Sequence, residues 1–195
     1  MEILEGSTLR ERLKAEKRLA TEKLLCVVRD LCAALGSAHR RHLVHRDLKP
    51  ENVFLVGTET GEVAKILDFG LAKFVAGSND RTVDTATGAI LGTVRYMSPE
   101  QREGQSADQA WDIWALAVTT YEMLTGCYPF DDGNRDRFAV GPVFPFTSIA
   151  THVPGEVGTW QSLFEHSFAR EMSVRLNSAE AFLSELQLAA SKSVV

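Results

Sequence analysis

A run that is apolar on nearly every side of a helix has one stable place in a folded chain, its centre. Residues 111–125 are such a run, opening Trp111-Asp112-Ile113-Trp114-Ala115-Leu116-Ala117-Val118. A helix at the surface would show a polar stripe, and this one does not. The run is therefore read as a central buried helix, ended by Gly126, Pro129 and Gly133.

Other elements must be arranged around it. Residues 7–18 read as a short helix capped by Ser7 or Thr8, with Glu11 at capping-box spacing from Thr8. A longer helix begins at Thr21 and Glu22, where Leu24, Leu25, Val28, Leu31, Cys32 and Leu35 bury one face. Val53-Phe54-Leu55-Val56 reads as a strand, Gly57 to Gly61 as a turn and Val63 to Leu67 as the returning strand. Residues 71–97 lack periodicity and are rich in Gly, Ser, Thr and Asp. Residues 131–157 are loop-rich, with Pro142, Pro145 and Pro154. Two last helices are expected at about 158–170 and 178–190, with Ser178 as an N-cap.

Composition narrows the function classes. A 195-residue chain that is 45% hydrophobic suits one domain or one large lobe. A net charge of −5 points away from nucleic acid and anionic membranes as partners. No apolar run approaches a membrane span, and the acidic first residues do not read as a signal peptide. Cys26, Cys32 and Cys127 have no metal-ligand spacing. Cys26 and Cys32 fall on different faces of one helix and cannot pair, which fits a reducing cytosol.

Between the long helix and the first strand lies His45-Arg46-Asp47-Leu48-Lys49-Pro50-Glu51-Asn52. It gathers a carboxylate, an ammonium and a carboxamide within six residues, the polar groups that move a phosphoryl group onto a hydroxyl. Asp47 can accept the hydroxyl proton, Lys49 can steady the phosphoryl, and Asn52 can hold a metal by its carbonyl oxygen. Asp68 follows the second strand. Two strands flanking the octet would put Asn52 and Asp68 side by side. Mg²⁺ takes hard oxygens and shares substrate phosphates, so two side chains suffice.

The octet, followed by Asp68-Phe69-Gly70 and then Ser98-Pro99-Glu100, resembles the eukaryotic-type (Hanks-type) protein kinases. Lys49 is the serine/threonine-kinase form of the loop, and Tyr96-Met97-Ser98-Pro99-Glu100-Gln101 resembles the bacterial members. The resemblance runs from about residue 1 to residue 188. It implies a mainly α (α+β) fold, a kinase-like C-terminal lobe that is helical with a short β-hairpin around the catalytic loop. Residues 1–195 would be a partial kinase domain, with 1–6 as hinge and 71–97 as activation segment. It also implies ATP with Mg²⁺, or Mn²⁺ in its place, a protein substrate and a cytoplasmic setting. Any membrane anchor would belong to a longer parent.

The same resemblance distributes roles. Asp47, Lys49 and Thr93 are catalytic, and Asn52 and Asp68 are metal ligands. Glu2 and Leu4 occupy hinge positions whose backbone binds adenine, and Phe54 lies beneath the adenine ring. His45 and Phe69 pack the catalytic loop, whose backbone Asp112 holds. Glu100 and Arg175 form a buried structural ion pair. Arg46 pairs with a phosphate on the activation segment, for which Thr82, Thr85 and Thr87 are the candidate acceptors, with Ser78 behind them. Ala117 stands where the family usually has glycine. A metal reading of His39, His42 and His45 yields to the packing role of His45.

The family's glycine-rich loop and lysine-bearing strand do not occur among the 195 residues. Met1-Glu2-Ile3-Leu4-Glu5-Gly6 resembles the hinge, so the small lobe is expected to be absent and the chain to begin at the domain waist. A missing lobe or a partner chain would cover the exposed hinge face, and the chain alone would turn over little. Two other classes are a non-catalytic lobe kept as a binding or regulatory module and a small-molecule phosphotransferase. Intact chemistry in the octet argues against the first, and Thr93 with the Ser-Pro-Glu segment against the second.

Overall fold

The computed structural model of the chain describes residues 5–59, 61–68, 94–130, 146–154 and 158–191. In order, its elements are β1 (Gly6–Thr8), α1 (Leu9–Glu16), α2 (Thr21–His39), a 3₁₀ turn (Pro50–Asn52), β2 (Val53–Thr58) and β3 (Gly61–Ile66). They continue with α3 (Pro99–Arg102), α4 (Gln109–Thr125), α5 (Ile149–His152), α6 (Gly158–Ser167) and α7 (Ala179–Ser191). Helices dominate, with one antiparallel sheet in the order β1-β2-β3. The mainly α (α+β) expectation holds.

Helix α4 is the centre. Every residue in it except Gln109 and Glu122 is buried. Two of its three threonines bond back to the helix: Thr120 Oγ1 donates to the Leu116 carbonyl and Thr125 Oγ1 to the Tyr121 carbonyl, each at 2.8 Å, while the buried Thr119 hydroxyl finds no partner among the described residues. Asp108 caps the start by accepting the Ala110 N–H at 2.8 Å. The end is set by Gly126, left-handed at φ 75°, whose N–H reaches the Glu122 carbonyl at 2.8 Å. A Cβ there would sit 2.9 Å from the Lys17 carbonyl oxygen. Gly126→Ala is expected to destabilise by about 2 kcal/mol, from left-handed strain plus this clash. An unchanged urea midpoint would contradict it.

Around α4, α2 packs its apolar face against α4, α7 and β3. Cys26 is exposed and Cys32 buried, as their different faces require. Burial, with Glu180 nearby, pushes the Cys32 thiol up to about 12, so it stays an inert thiol. An aromatic cluster closes the other side. Trp114 stacks on Phe130 at 5.5 Å and meets Phe168 edge-on at 5.2 Å, and Tyr121 meets Phe164 at 5.1 Å.

Several boundaries differ from expectation. Residues 6–8, expected partly as helix, form β1, paired Gly6↔Val56, Ser7↔Leu55 and Thr8↔Phe54. Thr8 then serves twice, because it also caps α1: its hydroxyl accepts the Glu11 N–H at 3.2 Å, and Glu11 accepts the Thr8 N–H at 2.8 Å. The two longer strands both follow the octet instead of flanking it, and β3 begins at Gly61. The edge of β3 is covered by α2, where the Asp30 carboxylate accepts the Ala64 N–H at 3.0 Å. Helix α6 stops at Ser167, short of 170. The chain turns there: the His166 carbonyl, which the Arg170 N–H would need in a continuing helix, instead accepts the Leu176 N–H at 3.2 Å, and the Arg175 guanidinium ties the turn by taking the Ala169 carbonyl at 2.8 Å and the Arg170 carbonyl at 3.4 Å. Helix α7 begins after Ser178, whose hydroxyl accepts the Ala181 N–H at 3.1 Å.

Candidate active site

The octet crosses from α2 to β2, and Asp112 in the first turn of α4 shapes it. Its two oxygens accept the N–H groups of His45 and Arg46, each at 2.8 Å, and Oδ2 also meets His39 Nε2 at 2.8 Å. A carboxylate only 1% exposed needs such partners. His45 is buried between two groups of opposite sense. Its Nδ1 accepts the Asp47 N–H at 3.3 Å, and its Nε2 donates to the Leu67 carbonyl at 3.0 Å, which selects the neutral Nε2–H tautomer.

Asp47 is bonded on both sides. Lys49 Nζ lies 3.0 Å from its Oδ2, and Asn52 Nδ2 donates to its carbonyl at 2.8 Å and to Oδ2 at 3.2 Å. Both acceptors lack protons, so the amide nitrogen of Asn52 must face them. Its carbonyl oxygen is then the atom suited to a cation. Strand register does the rest. Val53 pairs with Ile66, and the Leu67 N–H donates to the Asn52 carbonyl at 2.8 Å, so Asp68 emerges one residue beyond Asn52's partner. Asp68 is exposed and left-handed, at φ 52°. An amide oxygen and a carboxylate on adjoining strand ends suit Mg²⁺ that keeps waters and shares phosphate oxygens. Among the described residues no cluster of His, Cys, Asp and Glu could cage a metal. His39 and His45 are committed elsewhere.

Phe54 lies between buried Val53 and Leu55 on β2, so its side chain projects from the opposite sheet face. It is half-buried there, flanked in register by Thr8 and Lys65. Glu100 and Arg175 meet in the interior, Arg175 Nη1 donating to both carboxylate oxygens at 3.0 and 2.9 Å. The guanidinium also lies 5.0 Å over the Trp114 ring. The residues Glu2, Leu4, Phe69, Thr93, Thr82, Thr85, Thr87 and Ser78 lie outside the described residues.

A polar group beside the octet escaped the sequence reading. Arg10 of α1 donates to Glu51 at 2.8 Å and to Glu122 at 2.6 Å, and the Tyr96 hydroxyl donates to Glu122 at 2.7 Å. Burial works against the Arg10 charge, but Glu122 and Tyr96 outweigh it and hold the guanidinium charged. Burial and then Glu122 push the Tyr96 hydroxyl well above its ordinary range, so it remains a donor. Glu122, an acid deep in an apolar helix and beyond its first turn, was the available signal for this group. His39 had only its nearness to the octet.

A protein kinase domain family model matches residues 1–183. The serine/threonine-protein kinase PknL of Mycobacterium tuberculosis is 43% identical over 130 residues, which cover 67% of this chain and 31% of that protein. PknB of Mycobacterium leprae is 38% identical over 130 residues, covering 67% of this chain and 20% of that protein. The chain thus spans less than a third of the length of these curated relatives. The crystal structure of the Mycobacterium tuberculosis PknI kinase domain superposes with a TM-score of 0.72 at 22% identity. It covers 97% of this chain and 64% of that one, a likeness of fold.

Proposed function

The chain belongs to the protein kinase family, and on that premise we propose that it carries the phosphotransfer half of a serine/threonine protein kinase, passing the γ-phosphoryl of ATP to protein hydroxyls. The observation that carries this reading is the bonded set Asp47, Lys49 and Asn52, with Asp68 on the adjoining strand end. Asp47 takes the proton from the attacking hydroxyl as that oxygen bonds to the γ-phosphorus and ADP leaves. Lys49 sits where its ammonium offsets charge on the transferring oxygens. Asn52 and Asp68 would hold Mg²⁺, which when bound neutralises phosphate charge. Thr93 would join Asp47 and Lys49, and Arg46 would pair with a phosphate on Thr82, Thr85 or Thr87.

The outer sheet face, with Phe54 half-buried and Val63 42% exposed, would receive adenine and a small lobe above it, and the backbone at Glu2 and Leu4 would supply the adenine contacts that the family resemblance implies. No helix among the described residues is long and apolar enough to cross a membrane, and we place the chemistry in the cytoplasm, beside its ATP.

These 195 residues supply one wall of the nucleotide site. A polypeptide of these residues alone is expected to transfer phosphate at least about 10²-fold more slowly than the same residues completed by a glycine-rich small lobe, because misalignment of about 1 Å costs that much. Labelled Mg-ATP and a generic basic protein measure both. Equal rates overturn the expectation, and turnover indifferent to Asp47→Asn overturns the phosphotransfer reading.

A further inference from the structure

Arg46 has φ 70°, a conformation residues with side chains rarely adopt. Such a residue stays there only when its surroundings hold it. Its N–H is held by Asp112. Its carbonyl is held by Gln101, whose Nε2 donates to it at 2.8 Å. A carbonyl only accepts, so the amide nitrogen must be the atom facing it. Gln101 is itself fixed at the start of α3. Its N–H donates to Ser98 Oγ at 3.2 Å, and its neighbour Glu100 is locked by Arg175. The Arg46 carbonyl belongs to the same planar peptide as the Asp47 N–H, which bonds His45 Nδ1. If that plane rotates, the Asp47 backbone and carboxylate rotate with it.

We infer that Gln101 is a positioning residue for Asp47, clamping the Arg46–Asp47 peptide and coupling the seating of α3 to the aim of the base; this rests on the phosphotransfer reading. Gln101 acts through the Arg46 carbonyl. Its side chain bridges two segments 55 positions apart in the chain. A shift of the segment Ser98–Gln101 therefore reaches the base through one hydrogen bond.

Two substitutions separate the donor from the bulk. Gln101→Met keeps the length and removes the donor, and Gln101→Lys keeps a donor of similar reach. In the 195-residue chain, amide exchange across residues 44–50 is expected to rise about tenfold in Gln101→Met, the loss of one partly buried hydrogen bond, and to return to within about threefold of wild type in Gln101→Lys. In the lobe-completed protein the Met variant should lower kcat about tenfold with KM for Mg-ATP within about twofold, a split that general loosening would not give. Unchanged exchange and kcat in Gln101→Met overturns the assignment, as does a Lys variant no better than Met. Wild-type turnover that survives Asp47→Asn overturns the phosphotransfer reading instead, and the exchange data still decide whether Gln101 holds the loop.

Discussion

Asp47→Asn in the lobe-completed protein is expected to lower phosphotransfer by about 10²–10⁴-fold, the range a positioned general base contributes. The amide cannot take the hydroxyl proton. It also faces Asn52 Nδ2 and Lys49 Nζ, at 3.2 and 3.0 Å from Oδ2, and an amide satisfies these donors with a single oxygen and no charge. The fold should survive, because Asp47 is half-buried and the loop is anchored by Asp112 through His45 and Arg46. Thermal denaturation should therefore change little while turnover collapses, and nucleotide affinity should hold because Asn52 and Asp68 are intact. A variant within tenfold of wild type would remove Asp47 from the chemistry.

Glu100→Ala is expected to cost about 3–5 kcal/mol of stability, the range for breaking a buried pair from one side. Both side chains are under a tenth exposed, so solvent cannot take over the charge left behind. Arg175 keeps the Ala169 and Arg170 carbonyls and the Trp114 face, which favours the lower end of that range. The paired change Glu100→Gln with Arg175→Met should recover much of the loss, since it buries no unpaired charge. Urea unfolding of the two variants measures this. A loss under about 1 kcal/mol for Glu100→Ala would mean the pair does little to hold α3 against the α6–α7 turn.

Much of the architecture was legible because it is written in local periods and caps. Helix α4 is apolar all round and lies at the centre. Helix α2 shows one buried face, and Thr8 with Glu11 forms the capping box its spacing implies. Strand β1 was not legible. Three residues show no period, and only the Gly6–Thr8 backbone pairing with β2 makes them a strand. The early stop of α6 was hidden for a related reason: the His166 carbonyl that would continue it is taken by the Leu176 N–H, ten residues downstream.

By itself, the sequence determined the family, the helical class, the octet with its paired carboxylate, ammonium and amide, and the strand pattern that brings Asn52 toward Asp68. Each of these lives within a few residues or one hairpin, where bond geometry and period decide the outcome. The resemblance already implied that Asp112 holds the octet backbone, which it does across 67 positions. Only the tertiary structure decided the rest of how the octet is held: Gln101 reaches Arg46 across 55 positions, and Arg10 reaches Glu122 across 112. A polar side chain takes whichever buried partner the packed backbones bring within about 3 Å. That distance depends on how α1, α3 and α4 pack together, and no local pattern encodes it.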